Sequence, residues 1–232
     1  MDNTAIVVTA RLDSRRLPRK ALSEIGGKPM LSRVLDRVAR ANDQLSTILA
    51  TTDRTIDDDI AELVTSKGFQ IFRGAADDVL SRLIACGERF GLDRIVRISG
   101  DSPFIDPHLI NEAIRQGDHT GAEVVTNVFP RTYPYGISVE VLPISTLLKI
   151  RELTEDLEDR EHVTRYVYRC PQAFSIHNIE RSKEKLDDLR LVVDTPEDLE
   201  FVRAICERLG PRSESAHLET IARVCRALAA ET

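Results

Sequence analysis

The chain has 232 residues, 42% of them apolar and 30% charged, which suits one large α/β domain and is too few for two ordinary ones. A net charge of −6 argues against bulk binding to nucleic acid, and no run approaches the ~18 apolar residues of a membrane-spanning helix. The opening MDNTAIVVTAR lacks the basic start and long apolar stretch of a secretory signal, and Cys86, Cys170, Cys206 and Cys225 form no CxxC pair. The expectation is a cytoplasmic protein with buried thiols, without disulfides or zinc.

AIVVTA (5–10) is β-branched and apolar, which predicts a buried strand. Residues 29–40 place Leu31, Val34, Leu35 and Val38 on one helical face, with Pro29 suited to the first turn. TILATT (47–52) reads as a second strand, and 56–68 as a helix closed by Gly68. A third strand, FQIF (69–72), precedes a helix over 78–91 with Val79, Leu80, Leu83 and Ile84 at helical spacing. RIVRIS (94–99) is a fourth strand, then come a turn and a helix near 107–117. This alternation predicts a parallel, doubly wound sheet ordered 3-2-1-4, with strands one and four adjacent at the switch point.

Residues from about 127 to 178 break the rhythm, holding four of the ten prolines and all four tyrosines. GISVEVL alternates as a strand, a helix is expected at about 159–169, and QAFSIHNI reads as a return strand. The segment reads as an insertion into a single domain spanning 1–232. ERSKEKLDD (180–188) looks like a loop, and RLVVD (190–194) like a strand feeding a capped helix. Thr195 is the expected N-cap, Pro196 the first helical residue, and Asp198 sits three on from the cap. An amphipathic helix over about 217–229 completes the pattern.

The loop after the first strand packs Arg11, Arg15, Arg16, Arg19 and Lys20 into ten residues of an otherwise acidic chain. A charge run by itself is usually a solvated loop. This one leaves the carboxyl end of a central strand, where open α/β sheets bind ligands. Five cations there repel one another unless an anion lies between them, and a triphosphate meets that need. Neither GxxxxGK[ST] nor GxGxxG is present, so the usual ATPase and dinucleotide sites are unsupported. In SGDSPFIDP (99–107), Gly100 permits a tight turn and Asp101 projects from the edge that carries the basic loop. Asp101 reads equally well as a turn cap, and Asp106 before Pro107 reads as a helix cap. Asp194 ends an apolar segment outside a helix that already has its cap, which leaves a spare carboxylate. Two carboxylates with substrate phosphates is the usual way Mg²⁺ is held.

The run ARLDSRRLPRK followed by GGKPML resembles the opening of the cytidylyltransferase family of CMP-sugar synthetases, those making CMP-KDO and CMP-sialic acid. The spore-coat polysaccharide group of that family is closer still. It is similar at FRGAADDVLSR (72–82), RISGDSPFIDP (97–107), YPYGISVEV (133–141), DREHVTRYVY (159–168) and RLVVDTPEDLEF (190–201), so the likeness covers nearly the whole chain. It implies a Rossmann-like, GT-A-type, mostly parallel sheet flanked by helices. It further implies CTP as donor, a sugar (an acidic one foremost) as acceptor, release of pyrophosphate, Mg²⁺, and a homodimer built through the inserted segment. On this resemblance Arg11, Lys20 and Asp101 are the catalytic set, and Asp101 with Asp194 holds the metal. Nucleotide contacts are expected from Ala10, Arg11, Ser14, Arg16, Lys20, Arg73, Asp78, Arg82, Ser99, Gly100 and Asp101, and acceptor contacts from Tyr135, Glu140, Glu161 and His162. Arg73, Asp78 and Arg82 read equally as a helix entry, and His162 as a structural histidine. Where the family usually has glycine, this loop has Asp13 and Arg19. A nucleotide-sugar-dependent glycosyltransferase and a non-catalytic nucleotide-binding protein stay open as alternatives. GDSP supplies only one of the two carboxylates of a DxD element, and a mere sensor would have no use for paired strand-end acids.

Overall fold

Alternate residues of the first strand face two different cores, and this builds the molecule around its sheet. The computed structural model describes residues 3–42, 44–182 and 184–231. Strand β1 (Thr4–Thr9) leads through a small hairpin, β2 (Glu24–Ile25) and β3 (Lys28–Pro29), into α1 (Met30–Val38). There follow β4 (Ser46–Thr52), α2 (Asp58–Ser66), β5 (Gln70–Gly74), α3 (Val79–Phe90), β6 (Arg94–Ser99), α4 (Pro107–Thr120) and β7 (Val124–Thr126). The second half contains β8 (Glu140–Pro143), α5 (Ile144–Leu153), α6 (Leu157–His162), α7 (Arg165–Arg169), β9 (Ile176–Asn178), α8 (Pro196–Leu209) and α9 (Leu218–Ala230).

Seven strands form one sheet in the order β5-β4-β1-β6-β8-β7-β9. The first four are mutually parallel, with Val7 beside Ile48 on one side and Arg97 on the other, so the expected 3-2-1-4 order is present. Ile6, Val8, Leu49, Val96 and Ile98 pack with α1, α2, α4, α8 and α9 on one face. Ala5, Val7, Ile48, Ala50 and Ile95 pack with α3, α5 and α7 on the other. This is the period of two expected for strands buried on both faces.

Beyond β6 the chain departs from the sequence reading in five places. GISVEVL joins the sheet only from Glu140 onward, where β8 runs antiparallel to β6 and pairs Glu140 with Arg97. Residues 127–178 thus contribute β8 and β9 to the same sheet as β1. The helix expected over 159–169 is two short helices, broken at Val163 (φ 47°). The short strand β7 and the helix α5 were not expected, and RLVVD is not a strand. Its backbone is held by an isolated parallel bridge between Arg190 and Tyr135 (Tyr135 N–H to Leu189 O at 3.0 Å, Leu191 N–H to Tyr135 O at 2.6 Å) and by Val193 N–H to Asp101 O (3.0 Å). Thr195 and Asp198 form the expected capping box on α8. The loop read over 180–188 includes Lys183, which lies outside the described residues, as do the opening Met1 and Asp2. Among the described residues no helix is long and apolar enough to cross a membrane. All four cysteines are free; Cys86, Cys206 and Cys225 are buried and Cys170 is half-exposed.

Candidate active site

The site begins where β1 and β6 end side by side. The Gly100 N–H donates to Thr9 O at 2.8 Å, and a Cβ at residue 100 would lie 2.8 Å from both that oxygen and the Ala10 Cβ. Only glycine lets the turn after β6 close against the end of β1. The turn delivers Asp101 to the basic loop, with its Oδ1 accepting from Ser99 Oγ at 2.6 Å.

The loop itself is anchored by Leu12, which is fully buried and donates its N–H to Asp57 Oδ1 at 2.7 Å. Asp57, also fully buried, accepts from Thr52 as well. The chain then turns back, with Arg19 N–H donating to Leu12 O at 2.8 Å. Arg19 has φ 60°, the left-handed region, which explains why a glycine suits this position in related sequences. Its guanidinium leaves the crevice and pairs with Asp59 at 2.5 Å.

Lys20, at the start of a 3₁₀ turn, points into the crevice. Its Nζ donates to Asp101 Oδ2 (2.9 Å), Asp194 Oδ1 (2.9 Å) and Val193 O (2.8 Å), so one ammonium joins the two carboxylates. Burial works against the charge, but Asp101 and then Asp194 outweigh it and hold Lys20 above its ordinary pKa. Burial also works against the Asp194 carboxylate, yet Lys20, Arg16 and Arg190 hold it below the usual carboxylate range. Arg16 reaches Asp194 Oδ2 at 3.1 Å and Arg190 reaches the same oxygen at 3.0 Å.

Arg11 stands on the other side of the loop. It donates to Glu161 Oε1 (2.8 Å) and Ala76 O (3.1 Å), and pairs with Asp13 (3.1 Å), which is itself held by Arg54 (2.6 Å). Ala10 and Ser14 lie half-buried along the same loop, and Arg15 is exposed.

The remaining expected contacts are engaged inside the protein. Arg73 donates to Thr52 O (2.9 Å) and Arg54 O (2.8 Å) and pairs with Asp58 (2.6 Å), bracing the β4–α2 turn. Asp78 caps α3 through Ser81 N–H (2.7 Å) and accepts from Arg160 (3.0 Å), so its helix-entry reading holds. Arg82 is buried and donates to Ala75 O (2.5 Å) and Ala76 O (3.3 Å), next to Arg11 on the same carbonyl. Glu140 is buried as well. Its Oε1 accepts from Thr164 Oγ1 and Tyr168 Oη at 2.6 Å each, and its Oε2 from Arg97 at 2.6 Å. Of the four expected acceptor contacts, Glu161 meets the basic loop, Tyr135 is 51% exposed under the Arg131 guanidinium (4.3 Å), and His162 is exposed. Asp57, Arg97, Arg190 and Asp198 were not anticipated as site residues. Asp198 was read only as the capping partner of Thr195, and Arg190 left a trace in standing four residues before a carboxylate already singled out. Among the described residues no group of three or more His, Cys, Asp or Glu gathers as a metal cage, so Asp101 and Asp194 would need substrate oxygens to complete one.

The cytidylyltransferase family matches residues 5–218. The chain belongs to this family. This cytidylyltransferase is 30% identical to the spore coat polysaccharide biosynthesis protein SpsF of Bacillus subtilis (strain 168), over 95% of its own length and 93% of that protein. It is 39% identical to a 3-deoxy-manno-octulosonate cytidylyltransferase of Geobacter sulfurreducens, over 48% of its length and 44% of that protein. A cytidylyltransferase structure from Leptospira borgpetersenii superposes with a TM-score of 0.92 at 26% identity, covering 99% and 96% of the two chains. CMP:2-keto-3-deoxy-manno-octonic acid synthetase complexed with CTP shares the fold, with a TM-score of 0.69 at 21% identity over 88% and 98% of the chains. The chain is therefore a nucleotidyltransferase of the CTP-using class, on the Rossmann-like sheet expected from its sequence.

Proposed function

We propose that this cytidylyltransferase transfers CMP from CTP to a hydroxyl of a sugar, an acidic one foremost, with release of pyrophosphate and with Mg²⁺ as cofactor. The observation that carries this reading is Lys20, whose ammonium lies 2.9 Å from both Asp101 and Asp194 in a crevice flanked by Arg11 and Arg16. Lys20, Arg11 and Arg16 are the cations that grip the triphosphate. The sugar hydroxyl loses its proton to solvent as its oxygen bonds to the α-phosphorus, the bond from that phosphorus to the bridging oxygen breaks, and its electron pair leaves with pyrophosphate. Little covalent work falls to the protein, which positions the groups and neutralises spreading charge. Lys20 serves the leaving pyrophosphate, where negative charge grows most.

The two acids suit a hard cation. Neither is consumed by a helix cap, and both face one ammonium, whose single positive charge offsets only one of their two negative charges. Asp101 and Asp194 would hold Mg²⁺, which when bound would neutralise phosphate charge and lower the pKa of the attacking hydroxyl. Support for a sugar acid comes from the 3-deoxy-manno-octulosonate cytidylyltransferases among the relatives. A homodimer through the inserted segment is supported by Leu153 and Leu157, which stand 44% and 77% exposed at the α5–α6 junction. The free thiols agree with a cytoplasmic setting.

The test is a matrix of CTP, UTP, ATP and GTP against acidic and neutral sugars with Mg²⁺, read as pyrophosphate. The expected result is release that needs both CTP and a sugar acid. Release with purine triphosphates, or nucleoside diphosphate as the product, would overturn the reading.

A further inference from the structure

Asp194 lies on a segment that the sheet does not hold. Residues 191–194 are extended but outside any strand, and Val193 N–H makes a single bond to Asp101 O (3.0 Å). A carboxylate that must face Lys20 therefore needs a support of its own, and the structure supplies one. Asp198 Oδ2 accepts the backbone N–H groups of Asp194 (2.9 Å) and Thr195 (3.0 Å). The Arg190 guanidinium grips Asp198 with two bonds, Nε to Oδ1 (2.8 Å) and Nη2 to Oδ2 (3.1 Å). The same Nη2 donates to Asp194 Oδ2 at 3.0 Å.

We propose that Arg190, locked by Asp198, is a positioning residue for Asp194, holding Oδ2 so that Oδ1 faces Lys20 and the triphosphate. The capping box of α8 accounts for the bonds between Thr195 and Asp198, but a cap requires no arginine. Stability does not account for the arginine either, because its side chain is 44% exposed and exposed ion pairs contribute little. What the planar fork adds is geometry: the guanidinium grips Asp198 with two bonds in one plane while its Nη2 also holds Asp194, a directional fork that a lysine ammonium, a point charge on a flexible stem, does not offer. Arg16 also reaches Asp194 Oδ2, but it is 64% exposed, and among the described residues no second acid holds it as Asp198 holds Arg190.

This inference rests on the reading of Asp194 as part of the reaction site. Arg190→Met, Arg190→Lys and Asp194→Asn are compared with the full-length parent by three measurements. These are kcat and KM for CTP, thermal denaturation, and Mn²⁺ binding followed by electron paramagnetic resonance with α,β-methylene-CTP present. Removing a group that orients a metal ligand typically costs about 10- to 100-fold in affinity or activity. Arg190→Met is expected to lose at least about tenfold in both kcat and Mn²⁺ affinity, with little change in KM for CTP or in melting temperature. Arg190→Lys is expected to fall between parent and methionine variant, since one bond of the fork survives. Wild-type kcat and Mn²⁺ affinity in Arg190→Met, beside an inactive Asp194→Asn, would overturn the positioning role and leave the site reading intact. A fully active Asp194→Asn would overturn the site reading itself. An unfolded Arg190→Met beside a folded, fully active Arg190→Lys would also overturn the proposal, because the arginine would then be structural.

Discussion

Lys20 satisfies three acceptors with one ammonium, so its removal takes from the half-buried Asp101 its ion pair and leaves Asp194 with only Arg16 and Arg190. Lys20→Ala is expected to lose about 3 kcal/mol of transition-state stabilisation, on the order of 10²-fold in kcat, as loss of a preorganised charge does. Arg15→Ala, at an exposed position, should cost less than about 1 kcal/mol. Steady-state kinetics at one salt concentration compare the two, and equal small losses would return the loop to a solvated charge run. Arg19 makes a separate test, because its backbone occupies a region that costs an ordinary residue about 1–2 kcal/mol. Arg19→Gly removes that strain and gives up only the exposed pair with Asp59, so its melting temperature should equal or exceed that of the parent. A clear fall would contradict the strain argument. The placement of Asp101 beside the basic loop was legible because the end of β6 and Gly100 fix it locally. The Arg11–Glu161 contact was not, since its partners lie 150 residues apart and meet only through the placement of α6.

At the scale of elements, β8 and α7 are joined by a polar network rather than by apolar packing alone. Glu140 on β8 accepts from Arg97 on β6, from Thr164 and from Tyr168. Burial and then Glu140 push the Tyr168 hydroxyl well above its ordinary pKa, so it stays a donor. Glu140→Ala would strand Arg97 and two hydroxyls inside the protein, and a cost of about 3 kcal/mol is expected. Urea denaturation reads this as a lower midpoint, whereas a residue that only touched the acceptor would leave the midpoint unchanged. The first four strands were legible because short runs rich in β-branched or aromatic residues alternate with amphipathic helices. RLVVD carries the same apolar signal, but its neighbours are Tyr135, which offers one isolated bridge to Arg190, and the turn at Asp101, which offers one bond, so no ladder forms. The helical continuity of DREHVTRYVY conceals a break at Val163, whose φ of 47° lets Glu161 turn to Arg11 while Thr164 turns to Glu140. That conformation is costly for a β-branched residue, and nothing in the local sequence announces it.

The whole molecule is one sheet with a core on each face, and its thiols report on that packing. Burial pushes Cys86 up to about 12 and Cys225 up to about 11, so both stay protonated and unreactive at neutral pH. A disulfide-exchange reagent should therefore modify Cys170 first in the native protein and all four thiols after denaturation. Rapid modification of the buried three in the native state would contradict the core described here. The proposed reaction centre sits where the sheet leaves its parallel part, at the shared edge of β1 and β6, with Asp194 brought in from the far end of the chain. The most direct test follows α-labelled CTP, with Mg²⁺ and a sugar acid, in the parent and in Asp101→Asn and Asp194→Asn, each checked for folding by circular dichroism. The label should enter a CMP-linked sugar with one pyrophosphate released per turnover, and each asparagine variant should lose about 10²-fold or more while remaining folded. A folded variant that still transfers label at the parent's rate would show that the chemistry lies elsewhere.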